Sequence, residues 1–199
     1  NQRIAELGCN ESHFANPSGL NDDTQRTTAY DMAIIARACF QNPTVLEIAS
    51  ARTSSIPATA NNPNGRTFSI EHKMLLSDDS NYYPDAIAGK TGWTSQAGQT
   101  LVTYARREGR GQIAVTLKST QKTHYSDTKT ILDFCFAKFK NVNIADNETE
   151  YVTGSAPVTI GAEAYNPSEL SIDSGAVITI PHDAQFTDAD KTLETDLPE

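Results

Sequence analysis

From residue 86 onward, the order of apolar and polar residues is typical of an antiparallel sheet. The pattern predicts three strands, at residues 86–91, 99–107 and 112–118. A turn at Glu108-Gly109 separates the last two strands. Alternation along the third strand places three apolar side chains on one face, those of Ile113, Val115 and Leu117. We therefore expect a three-stranded meander in this part of the chain.

Apolar residues at helical spacing predict helices before and after the meander. The first helix begins at Thr28, with Asp31 three residues later as in a capping box. Its apolar stripe consists of Met32, Ile35, Ala36 and Cys39. Asn42-Pro43 ends it, and Pro43 can open a short second helix through Ile48. A later helix, predicted to lie across the meander, has a buried stripe of Tyr125, Thr128, Leu132, Cys135 and Phe139.

Two further regions have short runs of strand-forming residues. Residues 51–68 are predicted to form two strands around the turn "NNPNG" at 61–65. Beyond residue 147, runs such as "APVTI" and "GAVITI" lie between polar turns and predict a small all-β module. Helices layered on an antiparallel sheet give the α+β class. Since no stretch of 18 apolar residues occurs, the sequence predicts no membrane-spanning helix within it.

Charge is distributed unevenly along the 199 residues and indicates a domain boundary. Residues 143–199 contain twelve acidic side chains and one basic side chain, while residues 1–142 carry a net charge of +2. The sequence therefore predicts domains at 1–142 and 143–199, and we expect the second to be cut short. The acidic tail argues against a nucleic-acid partner.

Cysteines and histidines are too scattered to predict a metal centre. Cys9, Cys39 and Cys135 lie far apart, so we expect buried thiols rather than a disulfide or a metal site. The four histidines have no ligand-type spacing, which argues against zinc.

Lys90 is the only charged residue between positions 86 and 102. Two interpretations are open. If Gly89 and Gly92 mark a turn, Lys90 points into water; if this is a substrate-binding strand, Lys90 and Thr91 hold an anion. The triplet Lys90-Thr91-Gly92 alone is weak evidence, but such a triplet lines the active site of β-lactamases and penicillin-binding proteins. The predicted strand gives it the same context.

Two segments together resemble the serine D-alanyl-D-alanine carboxypeptidases, which are low-molecular-mass penicillin-binding proteins. These are "SHFANPSGLNDDTQRTTAYDMAIIARA" at residues 12–38 and "DAIAGKTGWTSQAGQTLV" at residues 85–102. The resemblance covers residues 1–142 and implies the C-terminal part of a transpeptidase-like catalytic domain. Residues 143–199 resemble the family's β-rich C-terminal domain more loosely. The implied protein acts outside the bacterial cytoplasmic membrane and needs no cofactor or metal.

The resemblance implies a role for each residue of the motif. Lys90 would help to hold the terminal carboxylate of the peptide, and Thr91 would donate a hydrogen bond to it. Gly92 would leave room for the substrate backbone along the strand edge. The backbone N–H of Trp93 would form half of the oxyanion hole. Thr94 would support the end of the strand.

The chain departs from the family pattern at the nucleophile. Its two Ser-x-x-Lys matches, Ser119–Lys122 and Ser126–Lys129, follow the Lys-Thr-Gly strand, whereas the family places this motif before it. We therefore interpret both as coincidences and expect the nucleophile in a missing N-terminal part of the same protein. A Ser-x-Asn element is also missing. Some relatives have an arginine near this point that helps to bind the substrate carboxylate. This chain has Lys118 and Ser119 there, so the role passes to Lys118 or is lost. His13 is interpreted as structural.

Three functional hypotheses follow. The first is part of a D-Ala-D-Ala carboxypeptidase whose partners are peptidoglycan pentapeptides and β-lactams, with any membrane association made by segments absent here. The second is a β-lactamase-like hydrolase. The third is a non-catalytic module that binds peptidoglycan peptides along the Lys90 strand. A Ser-x-x-Lys motif upstream of residue 1 would favour an enzyme, and its loss would favour the binding module.

Overall fold

The computed structural model describes residues 1–150, 152, 156–160 and 163–191. These residues form two compact units, Asn1–Cys135 and Phe136–Glu199. The helices of the first unit are α1 (Gln2–Glu6), α2 (Ala29–Gln41), α3 (Pro43–Ser50) and α4 (His124–Lys138), the last of which runs into the second unit. Its strands are β1 (Thr53–Ile56), β2 (Arg66–Ser69), β3 (Ala86–Thr94), β4 (Gly98–Arg107) and β5 (Arg110–Ser119). The α+β prediction is confirmed.

The predicted start of α2 is confirmed by its cap. The Thr28 hydroxyl accepts the N–H of Asp31 at 3.1 Å, which satisfies one of the free donors in the first turn. The buried carboxylate of Asp31 in turn accepts from Ser12 Oγ at 2.7 Å and from the N–H of Glu11 at 3.1 Å. Asp31 therefore fastens the N-terminal loop to the helix.

The central sheet has the order β3-β4-β5, and both pairings are antiparallel. Glu108 and Gly109 join β4 to β5 with φ values of 51° and 81°, which is the left-handed backbone that two-residue hairpins favour. Among the strands that the structure describes, β3 pairs with β4 alone, so its other edge is unpaired. This edge carries the Lys-Thr-Gly triplet.

Helices cover both faces of the central sheet. On one face, the Phe40 ring of α2 stacks on the Tyr104 ring of β4 with centroids 5.5 Å apart. On the other face, the hydroxyls of Thr128 on α4 and Thr116 on β5 lie 3.0 Å apart. The prediction that a helix lies across the meander is confirmed. Since helices cover the sheet on both sides, Thr116 is buried although it is polar.

Three details of the predictions are wrong. The first strand continues past residue 91 to Thr94, so Trp93 lies within β3. Phe139 begins a strand and is not part of the stripe of α4, which ends at Lys138. Cys39 is exposed and Cys135 half-buried, so Cys9 alone is the buried thiol that we expected of all three.

The second unit consists mainly of short antiparallel pairs. Its strands are β6 (Phe139–Asn143), β7 (Val158–Ile160), β8 (Glu163–Tyr165) and β9 (Val177–Pro181), and the short helix α5 spans Ile144–Asn147. Strand β6 pairs with β9, and β7 pairs with β8. Lys191 forms ion pairs with Glu148 at 3.0 Å and Glu150 at 2.9 Å. The division at Cys135 lies seven residues before the boundary after residue 142 that the charge pattern predicts. The predicted domain boundary stays a prediction.

Candidate functional site

Strand β3 is held close to its neighbours because two of its residues lack a side chain. A Cβ on Gly89 would overlap the carbonyl oxygen of Val102 and lie 2.5 Å from the His72 ring. A Cβ on Gly92 would lie 2.5 Å from the Thr100 hydroxyl, which donates to the Gly92 carbonyl at 3.1 Å. The glycines therefore allow β3 to pack tightly against β4 on one side and against His72 beneath.

Lys90 and Thr91 direct their polar groups to different partners. The Lys90 side chain is exposed, and its Nζ donates to the Thr91 carbonyl at 2.7 Å. The Thr91 hydroxyl donates to the carboxylate of Glu71 at 3.2 Å. Both contacts are at the surface, where an incoming anion can replace the present partner of each donor.

The end of β3 combines an exposed aromatic ring with a tight turn. Trp93 is 67% exposed, so its ring does not contribute to the core. The Thr94 hydroxyl accepts the N–H of Ala97 at 3.0 Å and thereby closes the turn to β4. Thr94 thus supports the strand's end.

A turn before β3 is anchored to α4 through one phenol. The hydroxyl of Tyr125 donates to the Glu71 carbonyl at 3.1 Å and accepts the N–H of Lys73 at 3.3 Å. Between these two residues, His72 is buried and its Nε2 lies 2.9 Å from the Thr103 hydroxyl. Burial lowers the pKa of His72 to about 4, so the ring is neutral at pH 7.

A polar depression of about 390 Å³ borders the second half of the motif. It is lined by Glu71, Lys73, Asn81, Thr91, Gly92, Trp93, Gln99, Gln121, Lys122, His124 and Tyr125. The two lysines bring positive charge to the edge of β3. Sequence reasoning missed most of this set, because the turn at 71–73 and the start of α4 carry no recognisable motif.

An apolar depression of about 760 Å³ lies on the side of the first half of the motif. The predicted stripe of α2 contributes Met32, Ile35, Ala36 and Cys39 to its lining, and β3 contributes Gly89, Lys90 and Thr91. Glu71 and Thr91 line both depressions and so stand on the boundary between them.

Lys118 lies outside both depressions, and its backbone has a φ of 51° at an irregularity in the β4–β5 pairing. Lys122, which we considered only as part of a coincidental Ser-x-x-Lys match, lines the polar depression instead. The positive charge of the polar depression therefore comes from Lys73 and Lys122, and Lys118 does not line it.

The serines of the two Ser-x-x-Lys matches have partners other than their lysines. Ser119 donates to the carboxylate of Asp127 at 2.9 Å, and Ser126 donates to the Thr123 carbonyl at 2.9 Å. Lys129 reaches the Ser80 carbonyl at 3.4 Å. Neither serine lines either depression.

His13 has a structural environment. Its backbone pairs with that of Arg26, and its Nδ1 lies 3.1 Å from the Thr24 carbonyl. Among the described residues, no three His, Cys, Asp or Glu side chains come together as a metal-binding group. No helix in the same part of the chain is both long and apolar enough to cross a membrane.

Comparison with known proteins gives consistent matches. Residues 1–121 match the profile of the family described as D-alanyl-D-alanine carboxypeptidase. The D-alanyl-D-alanine carboxypeptidase DacB2 of Mycobacterium tuberculosis is 32% identical over 143 residues, which are 69% of this chain and 46% of the relative. The Escherichia coli D-alanyl-D-alanine carboxypeptidase DacA is 31% identical over 185 residues, which are 91% of this chain and 42% of the relative. The chain therefore spans less than half the length of these relatives.

A solved structure extends the likeness of fold into the second unit. The D-alanyl-D-alanine carboxypeptidase DacD from Francisella tularensis matches with a TM-score of 0.65 and 23% identity. The match covers 92% of this chain and 54% of that protein. Since this coverage exceeds the length of the first unit, the likeness of fold extends beyond residue 135.

Proposed function

The chain belongs to the D-alanyl-D-alanine carboxypeptidase family, and from this membership we propose that the complete protein containing it removes the terminal D-alanine from peptidoglycan stem peptides. A serine attacks the penultimate carbonyl, the terminal D-alanine leaves, and water hydrolyses the acyl-enzyme. β-Lactams acylate the same serine. The observation that carries the proposal is the Lys90-Thr91-Gly92 triplet on the unpaired edge of β3, beside a depression that holds Lys73 and Lys122.

Strand β3 supplies the substrate-binding groups. The peptide lies along its unpaired edge as an added strand, and Gly92 keeps the approach of the two backbones open. Lys90 and Thr91 bind the terminal carboxylate, while the N–H of Trp93 donates to the oxyanion that forms during acyl transfer. Thr94 keeps the end of the strand in place through its contact with Ala97.

We propose Lys122 as the cation that assists Lys90, in the role that the resemblance gave to Lys118. Lys122 lines the polar depression together with Thr91, Gly92 and Trp93, whereas Lys118 does not. The ammonium group of Lys122 attracts the terminal carboxylate of the substrate by its charge, although Lys122 is not part of β3.

The nucleophile comes from sequence outside these 199 residues. Two observations support this assignment: the engaged hydroxyls of Ser119 and Ser126, and relatives more than twice as long as the matched segment. Residues 1–142 then form the C-terminal part of the catalytic domain, and residues 143–199 belong to a β-rich domain. The protein acts at the outer face of the cytoplasmic membrane, where its substrate is found, and requires no cofactor.

Acylation by a labelled β-lactam tests this function. We expect the complete protein to form a stoichiometric adduct and to release D-alanine from a peptide ending in D-Ala-D-Ala, while residues 1–199 alone form no adduct. Mass spectrometry locates the label. An adduct on Ser119 or Ser126 would contradict the assignment of the nucleophile, and a complete protein that binds the peptide without any adduct would be a binding module instead.

Lys90→Ala in the complete protein tests the role of β3. Loss of a charge-assisted hydrogen bond lowers kcat/KM for acylation by roughly 10- to 150-fold. The thermal midpoint changes little, since the exposed lysine buries mainly its stem. Lys138→Ala, which removes an exposed lysine at the end of α4, is the matched control and keeps full activity. Unchanged kinetics for Lys90→Ala would show that its side chain faces only water.

A further inference from the structure

Glu71 accepts a hydrogen bond from the Thr91 hydroxyl, which is the hydroxyl of the motif that we expect to bind the substrate. Its Oε2 accepts the Thr91 hydroxyl at 3.2 Å, although the two residues are 20 positions apart. Both line the apolar and the polar depressions. A carboxylate of the protein therefore stands where the terminal carboxylate of a peptide would have to approach.

The backbone beneath Glu71 is held in place, so this contact is not a chance position of a loose loop. Tyr125 binds the Glu71 carbonyl and the Lys73 N–H, and His72 between them is buried under β3. Glu71 itself is exposed, and its carboxylate accepts the Thr91 hydroxyl. The fold thus presents an anionic side chain on a fixed base at the edge of the site.

A threonine hydroxyl has one proton to donate, so Thr91 cannot bind two carboxylates at once. We propose that Glu71 competes with the terminal carboxylate of the ligand for the Thr91 hydroxyl and thereby sets the affinity for carboxylate-terminated ligands. This inference rests on the proposed function. Glu71 is a specificity-determining residue, since it weakens the binding of anionic ligands and leaves that of neutral analogues unchanged.

The surrounding charges do not neutralise Glu71 by direct pairing. Within the described residues, no ion pair involves its carboxylate, while Lys73 lies 3.8 Å from the carboxylate of Asp79. The Nζ of Lys90 is bound to the Thr91 carbonyl. The other titratable groups that line the polar depression are Lys122, Tyr125 and the buried His124. An arriving carboxylate therefore meets a like charge at Thr91 as well as the nearby lysines.

Glu71→Gln tests the competition, because it keeps the size of the side chain, removes the charge and leaves only a weaker amide acceptor for the Thr91 hydroxyl. The complete protein is assayed with two acyl-D-alanyl thioesters that differ only in the leaving group, which ends in a carboxylate or in its methyl ester. We expect KM for the carboxylate thioester to fall roughly three- to fivefold, as for the loss of an exposed charge contact. We expect kcat, and both constants for the methyl ester, to stay within about twofold.

Two further variants isolate the cause. Glu47→Gln removes an exposed carboxylate on α3 and controls for the change in net charge. In a Thr91→Val background, Glu71→Gln should change KM less than it does with Thr91 present, since the shared hydroxyl is gone and only the charge repulsion remains. Thermal midpoints check that every variant is folded.

The outcomes separate this inference from the function on which it rests. An unchanged or raised KM for the carboxylate thioester in Glu71→Gln overturns the competition, and so does an equal change for both thioesters. A wild-type protein that hydrolyses neither thioester overturns the proposed function itself. Wild-type turnover together with an insensitive Glu71 variant leaves the function standing and removes Glu71 from it.

Discussion

Single residues in this site derive their properties from what lies around them. Two basic residues meet at β3: Lys90 is part of the strand, and His72 packs against it. His72 is buried and neutral, whereas Lys90 is exposed. Desolvation disfavours the protonated imidazole, and this is the main cause of its low pKa. Burial therefore keeps His72 uncharged at pH 7, so this ring adds no positive charge beside β3.

The neutral state of His72 predicts a pH-dependent contribution to stability. The pKa of His72 is about 4 in the folded protein and 6.5 ordinarily, so the unfolded chain binds one more proton between these values. Stability from this group is complete above about pH 6.5 and is lost as the pH falls towards 4. The total loss is about 3 kcal/mol, at about 1.4 kcal/mol per pH unit.

Urea unfolding of the wild type and His72→Gln between pH 4 and 8 measures this contribution. The difference in unfolding free energy should be constant above pH 7 and should shrink as the pH falls from 6.5. Titration of surface carboxylates affects both proteins alike and cancels in the difference. A difference that does not vary with pH would mean that His72 is not buried in the neutral form.

At the scale of the element, β3 acts as a scaffold that is held on one edge and unpaired on the other. Antiparallel pairing with β4 runs from Ala86 to Thr94, and the Arg107 guanidinium binds the Asp85 carboxylate at 2.7 Å to hold the start of the strand. The same guanidinium donates to the Tyr83 hydroxyl, which binds Asp133 on α4. Rigid support of this kind suits the substrate-binding role that we propose for this edge.

Gly89→Ala tests how tightly β3 is held. The new methyl group would overlap the Val102 carbonyl and the His72 ring, so β3 has to shift away from β4. We expect a loss of about 1–3 kcal/mol in stability, as in other overpacked sites, together with lower acylation. Gly175→Ala is the control, because its nearest atom lies 3.4 Å away. Full stability in Gly89→Ala would show that β3 is not held tightly against β4 and His72.

At the scale of the whole chain, two compact units differ in charge. The structure separates them at Cys135, and the acidic excess begins at residue 143. Strand β6 and helix α5 follow the structural division, so the change in composition trails the change in fold. Composition reflects the solvated surface, while the division reflects which residues pack together.

Limited proteolysis tests the domain boundary. We expect a broad-specificity protease to cut first between Lys140 and Gly154. Within this range the cut should follow α5, because β6 is protected by its pairing with β9. Mass spectrometry of the early fragments locates the cut. Early cleavage within residues 86–118 would contradict the two-domain division, since those residues form the central sheet.

The elements of the first unit were predictable because each depends on residues close together in sequence. Alternation, the Thr28 cap and the turn at Glu108-Gly109 are local features, and the structure confirms all three. The family was also recognisable, since its motifs are contiguous. The end of α4 was missed because Phe139 has the helical spacing of the stripe, while its pairing with β9 is not local.

The sequence by itself determined the class of fold, the position of the Lys-Thr-Gly strand and the family. Tertiary structure alone decided what surrounds that strand. Glu71 and Thr91 are 20 residues apart, and Tyr125 and Glu71 are 54 apart. Likewise, Lys122 rather than Lys118 reaches the polar depression. Local patterns report the conformation of neighbours along the chain, whereas such contacts exist only after α4 has packed against the sheet and the 71–73 turn.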